Sequence, residues 1–168
     1  MFRAGQQVIY GGNGVCRIED IVLRENALSG DVIQVYVIRL SSGLTSYIPV
    51  DSNVFMRALI SAEEVRTVIG EFASLAARTF VGTNSKALAD QYRAIIARHD
   101  VREMLCLYKS LQQKIENARA AGKKPGAMDE RFAAAALEQV VKEFAIVLDC
   151  PTEDILGMLG IALIAART

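Results

Sequence analysis

Residues 5–23 read GQQVIY, GGNG and VCRIEDIVL, and this stretch decides the fold of the first part of the chain. Apolar and β-branched residues fill the first and third segments, which is typical of strands. Three glycines and an asparagine between them supply the backbone freedom that a tight turn needs. The pattern therefore predicts a β-hairpin that turns at residues 11–14.

Three more strands are predicted after the hairpin. Residues 32–40 and 44–50 are rich in apolar and β-branched side chains and are separated by a Ser-Ser-Gly turn. A short fifth strand, 54–57, follows the turn residues 51–53. Five short strands in so few residues suggest a small curled β-barrel. Such a barrel buries few apolar side chains, so we expect it to gain part of its stability from a neighbouring element.

Strand-like patterns give way to helix-like patterns near Leu59, which predicts an α+β chain with domains at 1–58 and 59–168. The second domain is predicted to be a compact bundle of five helices. The first helix opens with the capping box Ser61-x-x-Glu64 and extends to about Ala77. The other four are predicted at 86–97 after three candidate N-caps at 83–85, from Asp100 to Gly122, over 130–148 after Asp129, and from Thr152 onward.

The predicted last helix is apolar on nearly every side, from Ile155 to Ala166. A helix of that kind is either buried within the domain or covered by a partner. The run is about twelve residues long and contains two glycines, so it is too short for a membrane span of roughly twenty residues. Without a signal-peptide pattern at the N-terminus either, we expect a protein of the cytoplasm that does not enter the membrane.

Net charge is zero, so any contact with nucleic acid must come from a local patch. Residues 78–124 hold ten Lys or Arg against four Asp or Glu, whereas residues 125–168 hold three against seven. Two pairs of cations, Lys86 with Arg93 and Arg102 with Lys109, are spaced by seven residues and each share one helical face. This basic region is either a solvated surface or a contact for phosphates.

The sequence offers no catalytic or metal-binding constellation. The glycines at 11–14 are not followed by a helix or by Lys-Ser/Thr, so they fit neither a dinucleotide-binding turn nor a P-loop. His99 is the only histidine and is interpreted as a loop or cap residue. Cys16 and Cys106 are interpreted as buried, and Cys150, next to a proline, as more exposed. We therefore expect no enzyme activity, no metal and no cofactor.

Several motifs in residues 1–57 resemble the RNA-polymerase-interacting module of the CarD/CdnL family of bacterial transcription regulators, a module that also occurs in transcription-repair coupling factors. They are Phe2-x-x-Gly5-x-x-Val8-x-Tyr10, the glycine turn that follows, Tyr36-Val37-Ile38, and Leu44-Thr45-Ser46-Tyr47-Ile48-Pro49. The helical remainder resembles the family in layout more than in detail.

The resemblance implies an SH3- or Tudor-like barrel that docks on the β subunit of RNA polymerase through an edge strand. Arg24, Tyr47, Ile48 and Pro49 align with family positions that face the polymerase. The family usually has a basic residue two positions before the proline, where this chain has Tyr47. The contact is then expected to be weaker or to be rebuilt around an aromatic ring.

In the family, the helical domain touches promoter DNA and a tryptophan wedges into the minor groove. This chain has no tryptophan, and Ser85 stands at that position. Lys86, Arg93 and Arg131 remain as expected phosphate contacts. Because serine cannot hold a kinked base step apart, we expect weak DNA binding without sequence preference.

Together, these features predict a non-enzymatic regulator that binds polymerase and modulates the stability of promoter open complexes. The alternative is an adaptor that uses the barrel and the apolar last helix to bind proteins and does not bind DNA.

Overall fold

The computed structural model describes residues 1–162 and divides the chain into two compact units, one covering residues 1–59 and one beginning at residue 60. The predicted boundary lies between residues 58 and 59. The first unit consists of strands and the second of helices, so the α+β class is confirmed.

The first unit is a five-stranded antiparallel sheet with the strand order β4-β3-β2-β1-β5. Its strands are β1 (Gln7–Tyr10), β2 (Val15–Glu25), β3 (Val32–Arg39), β4 (Thr45–Pro49) and β5 (Met56–Ala58). The hairpin predicted at residues 11–14 is confirmed: β1 pairs with β2, and a short 3₁₀ turn over Gly11–Asn13 connects them. Gly14 leaves that turn with φ of 68°, a conformation that favours glycine.

A β-bulge at Glu19 determines which residues of β2 face the core. Ile18 pairs with Ile38 but Asp20 pairs with Val37, so Glu19 is one extra residue in β2. Ile18 and Ile21 would point to opposite faces of a regular strand, because side chains alternate with a period of two. With the extra residue, both contribute to one core, which also contains Val8, Cys16, Tyr36, Ile38 and Ile48.

The closed barrel predicted for this unit is not confirmed. The strand order ends at β4 on one side and at β5 on the other, so among the described residues the sheet is open. A closed barrel needs its first and last strands to pair, and here the two edge strands each pair with one neighbour.

The second unit contains five helices around one apolar core. They are α1 (Ala62–Phe72), α2 (Ser85–Ala97), α3 (Val101–Ala120), α4 (Ala127–Leu148) and α5 (Thr152–Met158). Three helix starts agree with the cap predictions, because Ser61, Asn84 and Asp100 each accept a backbone N–H from the residue three positions later. Asn84 is thus the N-cap among the three candidates at 83–85.

Helix α1 ends earlier than the predicted Ala77. The ammonium group of Lys109, on α3, donates to the carbonyl oxygens of Phe72 and Ala73 at 3.0 and 2.8 Å. A cation at this position satisfies carbonyls that have no partner within the helix and interacts favourably with the helix dipole. In a capping box, the glutamate also accepts a bond from the backbone N–H of the cap residue. Here the Glu64 carboxylate accepts a bond from Arg102 instead.

Helix α4 begins two residues before Asp129, so the prediction that Asp129 opens this helix is wrong. Gly126 is the N-cap residue, without a side-chain bond. The Asp129 carboxylate instead accepts bonds from Lys114 and Tyr92, which belong to α3 and α2.

Helix α5 is much shorter than the predicted apolar helix. It ends at Met158, and Gly160 follows with φ of 68° while the Ile161 N–H donates to the Leu156 carbonyl at 2.9 Å. This arrangement terminates helices, because a left-handed glycine reverses the chain and satisfies the last carbonyls. The part of the predicted helix beyond Ala162 lies outside the described residues. In the part of the chain that is described, no helix has the length and apolar character needed to cross a membrane.

Candidate functional site

The outer edge of β4 presents unpaired backbone groups. In an antiparallel ladder, alternate residues direct their N–H and C=O groups to the neighbouring strand. The Val50 N–H donates to Gln34 at 3.0 Å and the Leu40 N–H donates to Leu44 at 2.9 Å, so the even-numbered residues of this strand face β3. Thr45 and Tyr47 therefore point their N–H and C=O groups away from the sheet.

This edge is short because its C-terminal end is blocked. Pro49 has no N–H, and its carbonyl oxygen accepts a bond from the Ser52 N–H at 3.0 Å. Two donors and two acceptors remain, all on Thr45 and Tyr47. The resemblance did not single out Thr45, although the strand pattern and the proline at position 49 contain the signal that identifies it.

Arg24 and Tyr47 form a stacked pair across the sheet. Arg24 lies on β2 and Tyr47 on β4, and the guanidinium carbon lies 3.9 Å from the centroid of the tyrosine ring. At this distance the cation interacts with the π electrons of the ring. Both residues are exposed, with Tyr47 46% accessible. The structure thus brings together two of the residues aligned with polymerase-facing positions.

The other two aligned residues have different environments. The Ile48 side chain belongs to the core of the sheet, on the face opposite to Arg24 and Tyr47. Pro49 is half-buried on the same face as Tyr47, opposite Val35 of β3. Ile48 therefore anchors β4 to the core, while Pro49 ends the row of free backbone groups along its outer edge.

The sheet face around Arg24 is apolar with charged margins. Val22, Val35 and Val37 lie on this face, and Val35 is buried. Arg39 is also on this face, but both ends of its guanidinium group bind the Glu19 carboxylate, at 3.0 and 3.2 Å. The two arginines thus differ: Arg39 is neutralised within the sheet, whereas Arg24 stacks on a ring.

The residues expected to contact DNA lie on α2 and α4. Ser85 is the first residue of α2 and is exposed, as is Lys86. Arg93 lies two turns further along and pairs with Asp90 at 2.7 Å. The guanidinium carbons of Arg93 and Arg131 lie 5.8 and 5.2 Å from the centroid of the Phe132 ring, so both arginines lie beside this ring.

Much of the basic region is engaged within the helical unit. Arg102, on the second predicted basic face, binds Glu71 and Glu64 at 2.9 and 3.2 Å. Its neighbour on that face, Lys109, caps α1, and Arg78 binds Glu103 through two bonds. Lys114 and Arg119 form ion pairs with residues of α4. These cations hold helices together, which leaves fewer positive charges for phosphates than the sequence suggests.

The polar residues considered for chemistry are placed as the sequence indicated. Cys16 and Cys106 are buried and Cys150 is half-buried, and all three are free thiols. His99 follows the C-cap of α2 with φ of 50°, so its interpretation as a loop or cap residue is confirmed. Across residues 1–162, no three His, Cys, Asp or Glu side chains are grouped closely enough to hold a metal ion.

A small open sheet with an exposed backbone edge has the geometry with which protein-interaction domains can add a strand from a partner. Residues 2–60 match a family model described as the CarD-like/TRCF RID domain. The match covers nearly the whole N-terminal unit, so the resemblance that its motifs indicated is confirmed for that unit. No curated protein matches the chain.

Proposed function

We propose that this chain is a non-enzymatic transcription regulator that binds the β subunit of RNA polymerase through its N-terminal unit and modulates the stability of promoter open complexes. The observation that carries this proposal is the open edge of β4 within a domain of the CarD-like/TRCF RID family. Arg24, Tyr47 and Pro49 lie beside that edge, and Ile48 anchors the strand to the core.

Strand addition suits this edge for physical reasons. A strand from the polymerase would pair with the donors and acceptors of Thr45 and Tyr47, which are otherwise exposed to water. The other edge of the sheet is less suitable, because β5 has three residues and the Ala58 carbonyl accepts a bond from the Arg57 side chain at 3.0 Å. We therefore assign the polymerase contact to β4.

The substitution Thr45→Pro tests this assignment. It removes an N–H that points outward and leaves the ladder to β3 in place, so the unit should still fold. Loss of one neutral hydrogen bond is worth about 1 kcal/mol, which corresponds to a fall in affinity of roughly fivefold. The measurement is a titration of the full chain against the RNA polymerase core enzyme of its own cell.

Thr45→Val is the matched control, because it keeps the N–H and the β-branched shape and removes only the hydroxyl group. We expect it to bind like the wild type. Equal affinity of the folded Thr45→Pro variant and the wild type would exclude β4 as the docking edge.

For the helical unit we propose weak contact with promoter DNA, without sequence preference, through Ser85, Lys86, Arg93 and Arg131. Lys86 and the Arg93–Arg131 pair beside Phe132 support this contact. The engagement of Arg78, Arg102 and Lys109 within the unit instead favours the second candidate, an adaptor that binds polymerase without using DNA. The salt dependence of promoter binding by polymerase with this protein separates the two, since only phosphate contacts release counterions.

A further inference from the structure

We propose that Tyr47 is a positioning residue which holds the Arg24 guanidinium group beside the β4 edge, so that the added strand must place a carboxylate opposite Tyr47. This inference rests on the proposed function, because it specifies the partner strand at the same edge. It assigns one charged side chain of that strand to the position opposite Tyr47.

The length of the edge determines which β4 residues the added strand can pair with. Thr45 and Tyr47 carry the available donors and acceptors, and Pro49 with Ser52 blocks the continuation. A strand shifted by two residues toward Pro49 would lose half of these bonds, since proline has no N–H and its carbonyl is occupied. A strand that uses all of the available donors and acceptors therefore has one of its residues directly opposite Tyr47.

The side chain of that residue lies on the same face as Tyr47, because directly opposed residues in a sheet share a face. Arg24 is on this face too, with its guanidinium carbon 3.9 Å from the centroid of the tyrosine ring. The partner side chain opposite Tyr47 therefore meets the ring and the guanidinium group together.

The guanidinium group is suited to a carboxylate. Stacking uses the flat face of the group, and its N–H donors lie in the plane, at the edges. The acids near this face are engaged: Glu19 binds Arg39, and the Asp20 carboxylate accepts the Ile21 N–H at 2.8 Å. A carboxylate on the partner strand would complete a charge-assisted pair with Arg24.

Tyr47 contributes by reducing the freedom of a long side chain. An exposed arginine samples many rotamers, and ordering it on binding costs free energy. The Tyr47 ring already orders the guanidinium group in the free protein, so less side-chain entropy is lost when the partner binds. A phenylalanine would do the same, whereas leucine has no π system and would not.

The test compares the affinities of full-length variants for the RNA polymerase core enzyme at several salt concentrations. We expect Arg24→Gln to weaken binding about tenfold, as expected for a hydrogen bond between charged groups, and to flatten the salt dependence. Tyr47→Leu should weaken binding about threefold, and Tyr47→Phe should bind like the wild type. Adding Tyr47→Leu to Arg24→Gln should cause no further loss, because the ring acts through the arginine.

Arg17→Gln is the charge-matched control: it removes an equal charge from an exposed position on the same strand and the same face, in the cross-strand row of Thr45 and not beside the Tyr47 ring. We expect no change in affinity. The inference is overturned if Tyr47→Leu binds like the wild type, if Tyr47→Phe loses as much as Tyr47→Leu, or if the Arg24 and Tyr47 effects add. In each of these outcomes the wild type still binds polymerase. If the wild type does not bind, the proposed function fails and this inference falls with it.

Discussion

Asp129 is buried near the start of α4, only 5% exposed, and connects three helices. Its two carboxylate oxygens bind Lys114 at 2.8 Å and the Tyr92 hydroxyl at 3.4 Å. Burial raises the pKa of Tyr92. For Lys114, burial opposes the charged form, but Asp129 and Tyr92 together outweigh it and the pKa is raised. The ring of Tyr92 also packs edge-on against Phe80 and Phe132. Tyr92 therefore makes a polar contact through its hydroxyl group and apolar contacts through its ring.

This cluster should make the helical unit sensitive to alkali. A group whose pKa is raised by folding stabilises the protein below its ordinary pKa and loses that contribution as the pH rises through the folded value. For both Tyr92 and Lys114 the loss begins above roughly pH 10. We expect the free energy of unfolding, measured in urea, to fall above this pH.

The variant Tyr92→Phe tests the tyrosine part of this prediction. It should cost about 1 kcal/mol at neutral pH and should reduce the alkaline slope. Some slope remains through Lys114 and through Tyr108, whose pKa burial also raises. An unchanged alkaline slope in this variant would show that Tyr92 does not contribute to it.

At the scale of elements, local sequence predicts where helices start better than where they end. Ser61, Asn84 and Asp100 cap the helices that follow them, and each acts on a residue three positions away. The end of α1 depends on Lys109, which is 36 residues later in the chain than the Ala73 whose carbonyl it binds. Such a contact exists only after α3 has packed against α1, so no local window of sequence contains it.

Helix α5 illustrates how an apolar pattern can overestimate burial. Ile155 is fully buried and Leu159 nearly so, whereas Met158 is 53% exposed. We expect Ile155→Ala to lower the free energy of unfolding by about 3 kcal/mol, because it removes a buried side chain and leaves a cavity. Met158→Ala, on the solvent side, should change it by less than about 0.5 kcal/mol. Urea unfolding of both variants checks the prediction, and similar losses in both would contradict the assigned burial.

At the scale of the whole molecule, the proposed function depends on whether the helical unit stabilises open promoter DNA. The resemblance aligns Ser85 with the tryptophan of the CarD/CdnL family, and in the structure Asn84, not Ser85, caps α2. We therefore expect Ser85→Trp to leave the helix cap intact. An apolar wedge unstacks a base step, so this variant should lengthen the lifetime of promoter open complexes formed by the cognate polymerase.

Ser85→Ala is the control for this substitution, and we expect it to leave the lifetime unchanged. If the wild type already gives long-lived complexes that Ser85→Trp does not alter, another residue supplies the wedge and the alignment of the helical unit is wrong. The measurement requires equal salt in all reactions, because phosphate contacts are screened.

The candidate site could be predicted from the sequence only in part. The resemblance identified Arg24 and Tyr47 as residues, but their stacking depends on pairing across two strand interfaces. The face on which Arg24 lies depends on the bulge at Glu19. Glu19 and Asp20 are both polar, so either one satisfies the sequence pattern as the extra residue, and only the pairing with β3 distinguishes them.

Because of the bulge, strand β2 should tolerate substitution of Glu19 better than deletion of Glu19. Replacing Glu19 by another polar residue removes its bond to Arg39 and keeps the alternation of the strand. Deleting it would shift every residue from Asp20 to Glu25 to the opposite face, turning Ile21 outward and Arg24 toward the core side. One residue therefore sets the spacing both of the side chains that form the core and of the arginine proposed to meet the polymerase. Substitution of Glu19 should be tolerated, whereas its deletion should impair folding and the proposed binding together.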